Sequence, residues 1–266
     1  NLSGNAKRPV VSLQLQADEL AMSGVRMRDL QAQGTLNLGA IWQGNLQAHL
    51  GRLSNGTTRL QDLQLSLQGD ENAHELRLAF AGQPLASELL VRGQWRARQW
   101  QGELSSGRID TPIGPWVLDA PLNMVFSAAS QRLSLGAQCW HLNEAALCLQ
   151  PAELSKARGD LRLSLSQFAT QALRPLFPER MDWRAMLTLN GQLGWQGGVP
   201  YADLQLESEP GSLIADELVS DYDRLSVSTK LDRQQGALVL HFASKQLGRA
   251  DITLLIGDPM GERTLG

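Results

Sequence analysis

Aromatic side chains are scarce, at 5% of the chain, and there are two cysteines. No run approaches the ~18 consecutive apolar residues of a membrane-spanning helix. No secretory leader opens the chain. Both termini lack natural end features, so the chain reads as a piece of something longer, and the missing leader says little about compartment. Basic runs are absent as well: the 24 Lys and Arg are spread along a chain of formal charge −3 and pI about 5.8. That argues against nucleic acid as a partner. There is no acidic tail.

Motifs that carry chemistry are missing too. The four histidines (His49, His74, His141, His241) show no paired ligand spacing. No phosphate loop, dinucleotide fingerprint or Gly-x-Ser-x-Gly elbow occurs. Asp221-Tyr222-Asp223 has two carboxylates within reach of calcium, but acidic turn residues are the commoner explanation. The chain nominates no catalytic residue, metal or cofactor, and an enzyme is not expected.

What is present is alternation with period two, the mark of half-buried strands. Leu dominates the apolar set and Gln is conspicuous among the polar residues. Leu13 and Leu15 begin the series, followed by Leu36, Leu38 and Trp42. Leu63, Leu65 and Leu67 alternate with Gln64, Ser66 and Gln68, and Leu76, Leu78 and Phe80 follow. Then come Leu133 and Leu135, Leu161, Leu163 and Leu165, Leu187 and Leu189, and Leu204 and Leu206. Val227, Leu231, Leu238, Leu240 and Phe242 lead to the last set, Ile252, Leu254 and Ile256. Turns are expected at Asn55-Gly56, Gly69-Asp70, Asn190-Gly191, Gly197-Gly198 and Gln235-Gly236. Residues 166–175 read as a short helix, capped by Ser166 and ended by Pro175. Asp18 to Leu30 reads equally as a helix or a strand. The pattern at 36–44 resembles that at 189–197, which points to a repeating β architecture.

Cys139 and Cys148 fit two hairpin strands joined by a disulfide, which implies an oxidising compartment. Two buried free thiols are the alternative.

Roughly twenty tandem strands at about 4.8 Å each span on the order of 100 Å. Two dispositions of the leucines stay open. They can pack on each other in a closed core, or the sheet can curl lengthwise into an apolar trough that needs an occupant. An acyl chain suits such a trough. Each buried methylene is worth about 0.8 kcal/mol, so leaving water is favourable at every point along the path.

Gly-Arg-Ile-Asp-Thr-Pro-Ile-Gly-Pro-Trp-Val-Leu at 107–118 is followed by Cys139-Trp140 and Leu147-Cys148-Leu149. Next come the Leu-x-Leu-x-Leu run at 161–165, Leu173-Arg174-Pro175-Leu176-Phe177-Pro178, Gly197-Gly198-Val199-Pro200 and Leu204-x-Leu206. This succession resembles the periplasmic region of the TamB family, inner-membrane-anchored subunits of the bacterial translocation and assembly module. The family is similar to the AsmA-like, bridge-type lipid transfer proteins. The resemblance implies an all-β fold, an elongated antiparallel sheet curled lengthwise around an apolar groove, with one or two short helices. Residues 1–266 would be a single continuous groove segment. The alternating positions named above would line it and touch phospholipid acyl chains. Location in the periplasm of a Gram-negative bacterium is implied, as is partnership with TamA, an outer-membrane barrel, through the full-length protein and not directly through this segment. The implied role is a phospholipid conduit between the two membranes. The alternative is a chaperone-like module holding nascent outer-membrane proteins.

Overall fold

The computed structural model describes residues 2–5, 8–22, 24–39, 41–55, 58–216, 218–233 and 235–257. They form two units, one up to Ser130 and one from Gln131. Both are antiparallel all-β, as the alternation requires, and each is taken by itself.

The first unit is a meander of ten strands: β1 (Leu2–Asn5), β2 (Arg8–Met22), β3 (Val25–Leu38), β4 (Trp42–Asn55), β5 (Thr58–Asp70), β6 (His74–Gln83), β7 (Ala86–Arg96), β8 (Gln99–Thr111), β9 (Gly114–Leu118) and β10 (Leu122–Ser127). Each strand from β1 to β8 pairs with the next. The far edge of β8 is shared. β10 pairs with residues 99–104 and β9 with 108–111.

The ambiguous stretch from Asp18 to Leu30 is a hairpin, β2 into β3. It was hard to read because the alternation slips there. Ala17 and Leu20, Met27 and Leu30, Leu50 and Leu53, and Leu60 and Leu63 are each separated by two residues instead of one. Asp18, Asp29, Gly51 and Asp62 mark this line across four strands. Asp29 and Asp62 have φ of 57° and 49°, a left-handed conformation that Asp tolerates better than most residues. Because every strand slips together, pairing survives. At β6 the slip ends in a bulge between Gln61 and Gln64.

The second unit comprises β11 (Arg132–Leu135), β12 (Gln138–Leu142), β13 (Ala145–Leu149), β14 (Ala152–Ser155), β15 (Arg158–Ala169), β16 (Met181–Arg184), β17 (Met186–Gln196), β18 (Val199–Ser208), β19 (Gly211–Ala215), β20 (Leu218–Tyr222), β21 (Arg224–Leu231), β22 (Gln235–Ser244) and β23 (Gly248–Gly257). Its main sheet runs β15, β17, β18, β21, β22, β23. The other edge of β15 is divided between β13 and β14, with β12 on β13 and β11 on β14. The strands β16, β19 and β20 form a small second sheet.

The expected helix is present, but as a 3-10 turn at Thr170–Leu176, not at 166–175. Ser166 belongs to β15, and Ala169 precedes the turn without a side-chain cap. Pro175 sits inside, where the short 3-10 geometry tolerates it. Two expected turns are also strands. Asn190-Gly191 lies mid-β17, and Gln235-Gly236 opens β22. A Cβ on Gly191 would come within 2.5 Å of Leu204 Cδ2, so this glycine serves close cross-strand packing. Gly69-Asp70 closes β5, and the reversal follows it, with the Asp70 carboxylate accepting from the Asn72 and Ala73 N–H groups. Gly197-Gly198 is a turn, both with positive φ. Gly56 and Thr57 lie outside the described residues.

Candidate functional site

Register turns the alternation into continuous rows. In the first unit, Leu13, Gly34, Leu46, Leu67, Leu76, Val91, Leu104 and Leu122 stand opposite one another across eight strands. In the second unit the corresponding row is Trp140, Leu147, Leu165, Leu189, Leu206, Val227, Leu240 and Ile252. Eight strands make seven spacings, so each row is about 34 Å long.

The sequence-predicted positions fall on these faces. In the first unit Leu15 and Leu65 flank Ala32 and Ala48 in a second row, and Leu36, Leu38, Trp42, Leu63, Leu78 and Phe80 share the side. In the second, Leu161 and Leu231 join through Leu193 and Ala202. Leu163, Leu204, Leu238 and Leu254 join through Gly191 and Thr229, and Leu133 and Leu135 face Leu154 and Ala152. Sequence reading missed Leu46, Val91, Leu104, Leu122, Trp140 and Leu147. Leu46 was recoverable from Gly44-x-Leu46-x-Ala48. Leu104 and Leu122 sit in strands broken by Gly, Ser and Pro, where alternation is short.

Apart from Leu104 and Leu122, which are buried, the side chains of these rows stay half-exposed or exposed. Among the described residues nine hydrophobic side chains are buried, and of the predicted positions Leu187 alone is one of them. Leu13 is 50% exposed and Leu254 57%.

Each face has a distinct margin. In the first unit the aromatics gather along one side. The Trp100 ring lies over Gly93 and Gly102, where a Cβ would come within 2.5 and 2.6 Å of it. Trp100 Nε1 donates to His74 Nε2 at 2.7 Å, so the remaining ring proton is on Nδ1, which donates to the Asp70 carbonyl at 2.9 Å. Trp42 stands 5.5 Å from the same imidazole, and Trp95 meets Phe126 edge-on at 6.5 Å.

In the second unit one margin is sealed. Phe168, Leu187 and Tyr222 are buried there, and Thr170 is fully buried. Thr170 Oγ1 donates to the Trp183 carbonyl at 2.6 Å and accepts from the Ala185 N–H at 2.8 Å. Trp183 Nε1 donates to the Tyr222 hydroxyl at 2.8 Å, and that hydroxyl meets Ser208 Oγ at 2.6 Å. The 3-10 turn and the small sheet thus close one end of the apolar stripe. The opposite margin carries Trp195, opposite Gly159, and remains half-exposed.

The other faces are polar. Gln14, Gln33, Gln47, Ser66 and Arg77 form a cross-strand row opposite the leucines. Nearby, Glu75 accepts from Arg77 Nε at 2.7 Å and Arg92 Nε at 3.0 Å. These two guanidinium hydrogen bonds hold its carboxyl below the usual value, against a small opposing desolvation. A lowered folded-state pKa stabilises above the unfolded value of 4.5, and that contribution is lost as pH falls through the folded value. A carbon-detected NMR titration is expected to show Glu75 titrating below its unfolded value, and Arg92→Gln to move it upward.

Cys139 and Cys148 are joined, with S–S 2.05 Å, directly opposite each other in the β12–β13 hairpin. They lie on the polar side, one residue from Trp140 and Leu147, and tie down the first two positions of the second row. The loop is short, so losing the bridge is expected to cost about 2–3 kcal/mol. Thiol titration in denaturant is expected to find no free cysteine, and Cys139→Ser with Cys148→Ser to lower the unfolding midpoint.

Among the described residues no group of three or more His, Cys, Asp or Glu is placed to hold a metal ion. His49 and His241 pair with Asp62 and Asp251 at 3.8 and 2.6 Å. Asp223 pairs with Lys245 at 3.8 Å, and the Asp221 carbonyl accepts from Ser244. No helix among the described residues is long and apolar enough to cross a membrane.

Comparison with known proteins matches residues 1–266 to the family model for the TamB N-terminal domain. The chain is 24% identical over 207 residues to the translocation and assembly module subunit TamB of Haemophilus influenzae. That alignment covers 75% of this chain and 16% of the relative, so the chain spans about a sixth of the curated protein it matches. No solved structure matches it.

Proposed function

From a chain that belongs to the family of TamB N-terminal domains, we propose a hydrophobic conduit for phospholipid tails, part of a path across the periplasm between the inner and outer membranes. The observation that carries the reading is the pair of eight-position rows, most of whose apolar side chains stay half-exposed or exposed. A row of about 34 Å exceeds the ~15 Å depth of one leaflet's hydrocarbon, half of a ~30 Å bilayer core, so a tail lying along it meets apolar side chains along its whole length. A non-directional surface lets the tail slide, since no position binds it more tightly than the next. TamA would meet the longer protein through other segments.

A second reading has one specific observation in its favour. β23 pairs with β22 and, among the described residues, with no other strand, and all ten of its residues are exposed, Leu255 at 70%. Such an edge can take up an extended segment of a nascent outer-membrane protein by β-augmentation. Photocrosslinkers at Leu65, Leu206 and Ser228 in the intact protein in cells separate the two. Lipid adducts at the first two, and none at the polar-face Ser228, are expected. Adducts to protein in place of lipid at the apolar positions would give the second reading precedence.

A further inference from the structure

At the open margin of the second unit the sheet is notched. β13 leaves β15 at Leu163, β14 joins it at Gly159, and Gln150-Pro151 crosses between. Here a cavity of about 470 Å³ opens on the polar side, lined by Arg132, Arg158 and Arg162 together with Glu153 and Asp160. The charges are poorly matched internally. Arg132 reaches Glu153 at 4.0 Å, and one buried carboxylate oxygen of Asp160 has no hydrogen-bond partner. Three guanidiniums beside a carboxylate in want of a donor suit a ligand carrying a phosphate and an ammonium together.

The place of the notch matters as much as its charge. Arg158, Asp160 and Arg162 alternate along β15 with Gly159, Leu161 and Leu163 of the apolar face, so the notch lies one strand-thickness from the tail path. The Trp195 ring forms the rim between them, its Nε1 donating to the Ser155 carbonyl at 3.0 Å. The opposite margin is sealed by the small sheet, so a headgroup has one side on which to emerge.

We propose that this rim notch receives the phosphate-and-ammonium headgroup of a zwitterionic phospholipid whose tails lie on the apolar face, a step that rests on the conduit reading. The test loads the full chain from vesicles of equal parts phosphoethanolamine and phosphoglycerol lipid, then quantifies bound lipid by mass spectrometry. Wild type is expected to carry the phosphoethanolamine lipid in about fivefold excess. Arg132→Gln, Arg158→Gln and Arg162→Gln together, and Asp160→Asn alone, are expected to bring the ratio to that of the vesicles with total lipid unchanged. Wild-type lipid mirroring the vesicles, or a ratio insensitive to these changes, overturns the proposal while leaving the conduit standing. No bound lipid on the wild type fails the conduit itself, and the proposal with it. Inorganic phosphate and glycerophosphoethanolamine are titrated in parallel. If both shift the arginine side-chain NMR signals equally, and at concentrations where lipid adds nothing, the site is for free phosphate and the headgroup assignment is wrong.

Discussion

Leu206→Arg and Leu163→Asp are expected to stop lipid transfer while leaving the chain folded. Leu206 occupies the middle of the second unit's long row, between Leu189 and Val227, and Leu163 lies in the next row beside Leu149 and Gly191. A charge at the centre of an apolar path costs about 2.5–3.5 kcal/mol on the scale measured for membrane insertion. That converts to roughly a hundredfold drop in passage. In the empty protein the same charge is cheap, because both sites are half-exposed and an arginine can carry its head to water. Fluorescent-lipid transfer between donor and acceptor vesicles measures the first effect and the thermal unfolding midpoint the second. Normal transfer by a folded Leu206→Arg protein would remove the tail path from the second unit.

The reverse pattern is expected at the sealed margin. Leu187 and Phe168 are 5% exposed and stand opposite each other between β15 and β17. Truncating either to Ala is expected to cost about 2–5 kcal/mol, from lost burial and the cavity left behind. Leu206→Ala, at a half-exposed position, has no enclosed cavity to create and is expected to cost well under half as much. Chemical denaturation of the three variants checks the order. An equal loss at Leu206 and Leu187 would mean that the apolar face is packed in solution. The two pairs of variants thus separate residues that hold the fold from residues that serve the path.

Most of this division was legible only in part. Period-two alternation identified the strands and their apolar side, because a half-wet strand writes its two faces directly into the sequence, as at Leu161-x-Leu163-x-Leu165. The slip line at Asp18, Asp29, Gly51 and Asp62 hid one hairpin, since a shift shared by four strands appears in any single strand as lost period. The 3-10 turn starts later than expected because Ser166 to Ala169, inside the stretch that reads as a helix, are the last residues of β15. The sealed margin had no signal at all. Its partners, Thr170, Trp183 and Tyr222, are far apart in the chain and meet only through the small second sheet. Open and closed dispositions of the leucines give the same alternation, so exposure had to come from the structure.

Extraction of the purified chain, with mass spectrometry of what it carries, tests the central claim most directly. The conduit reading predicts phospholipid at one or more molecules per chain, sharply reduced by Leu206→Arg. A lipid-free, monomeric and stable chain would contradict it, since the leucines would then be satisfied without any occupant.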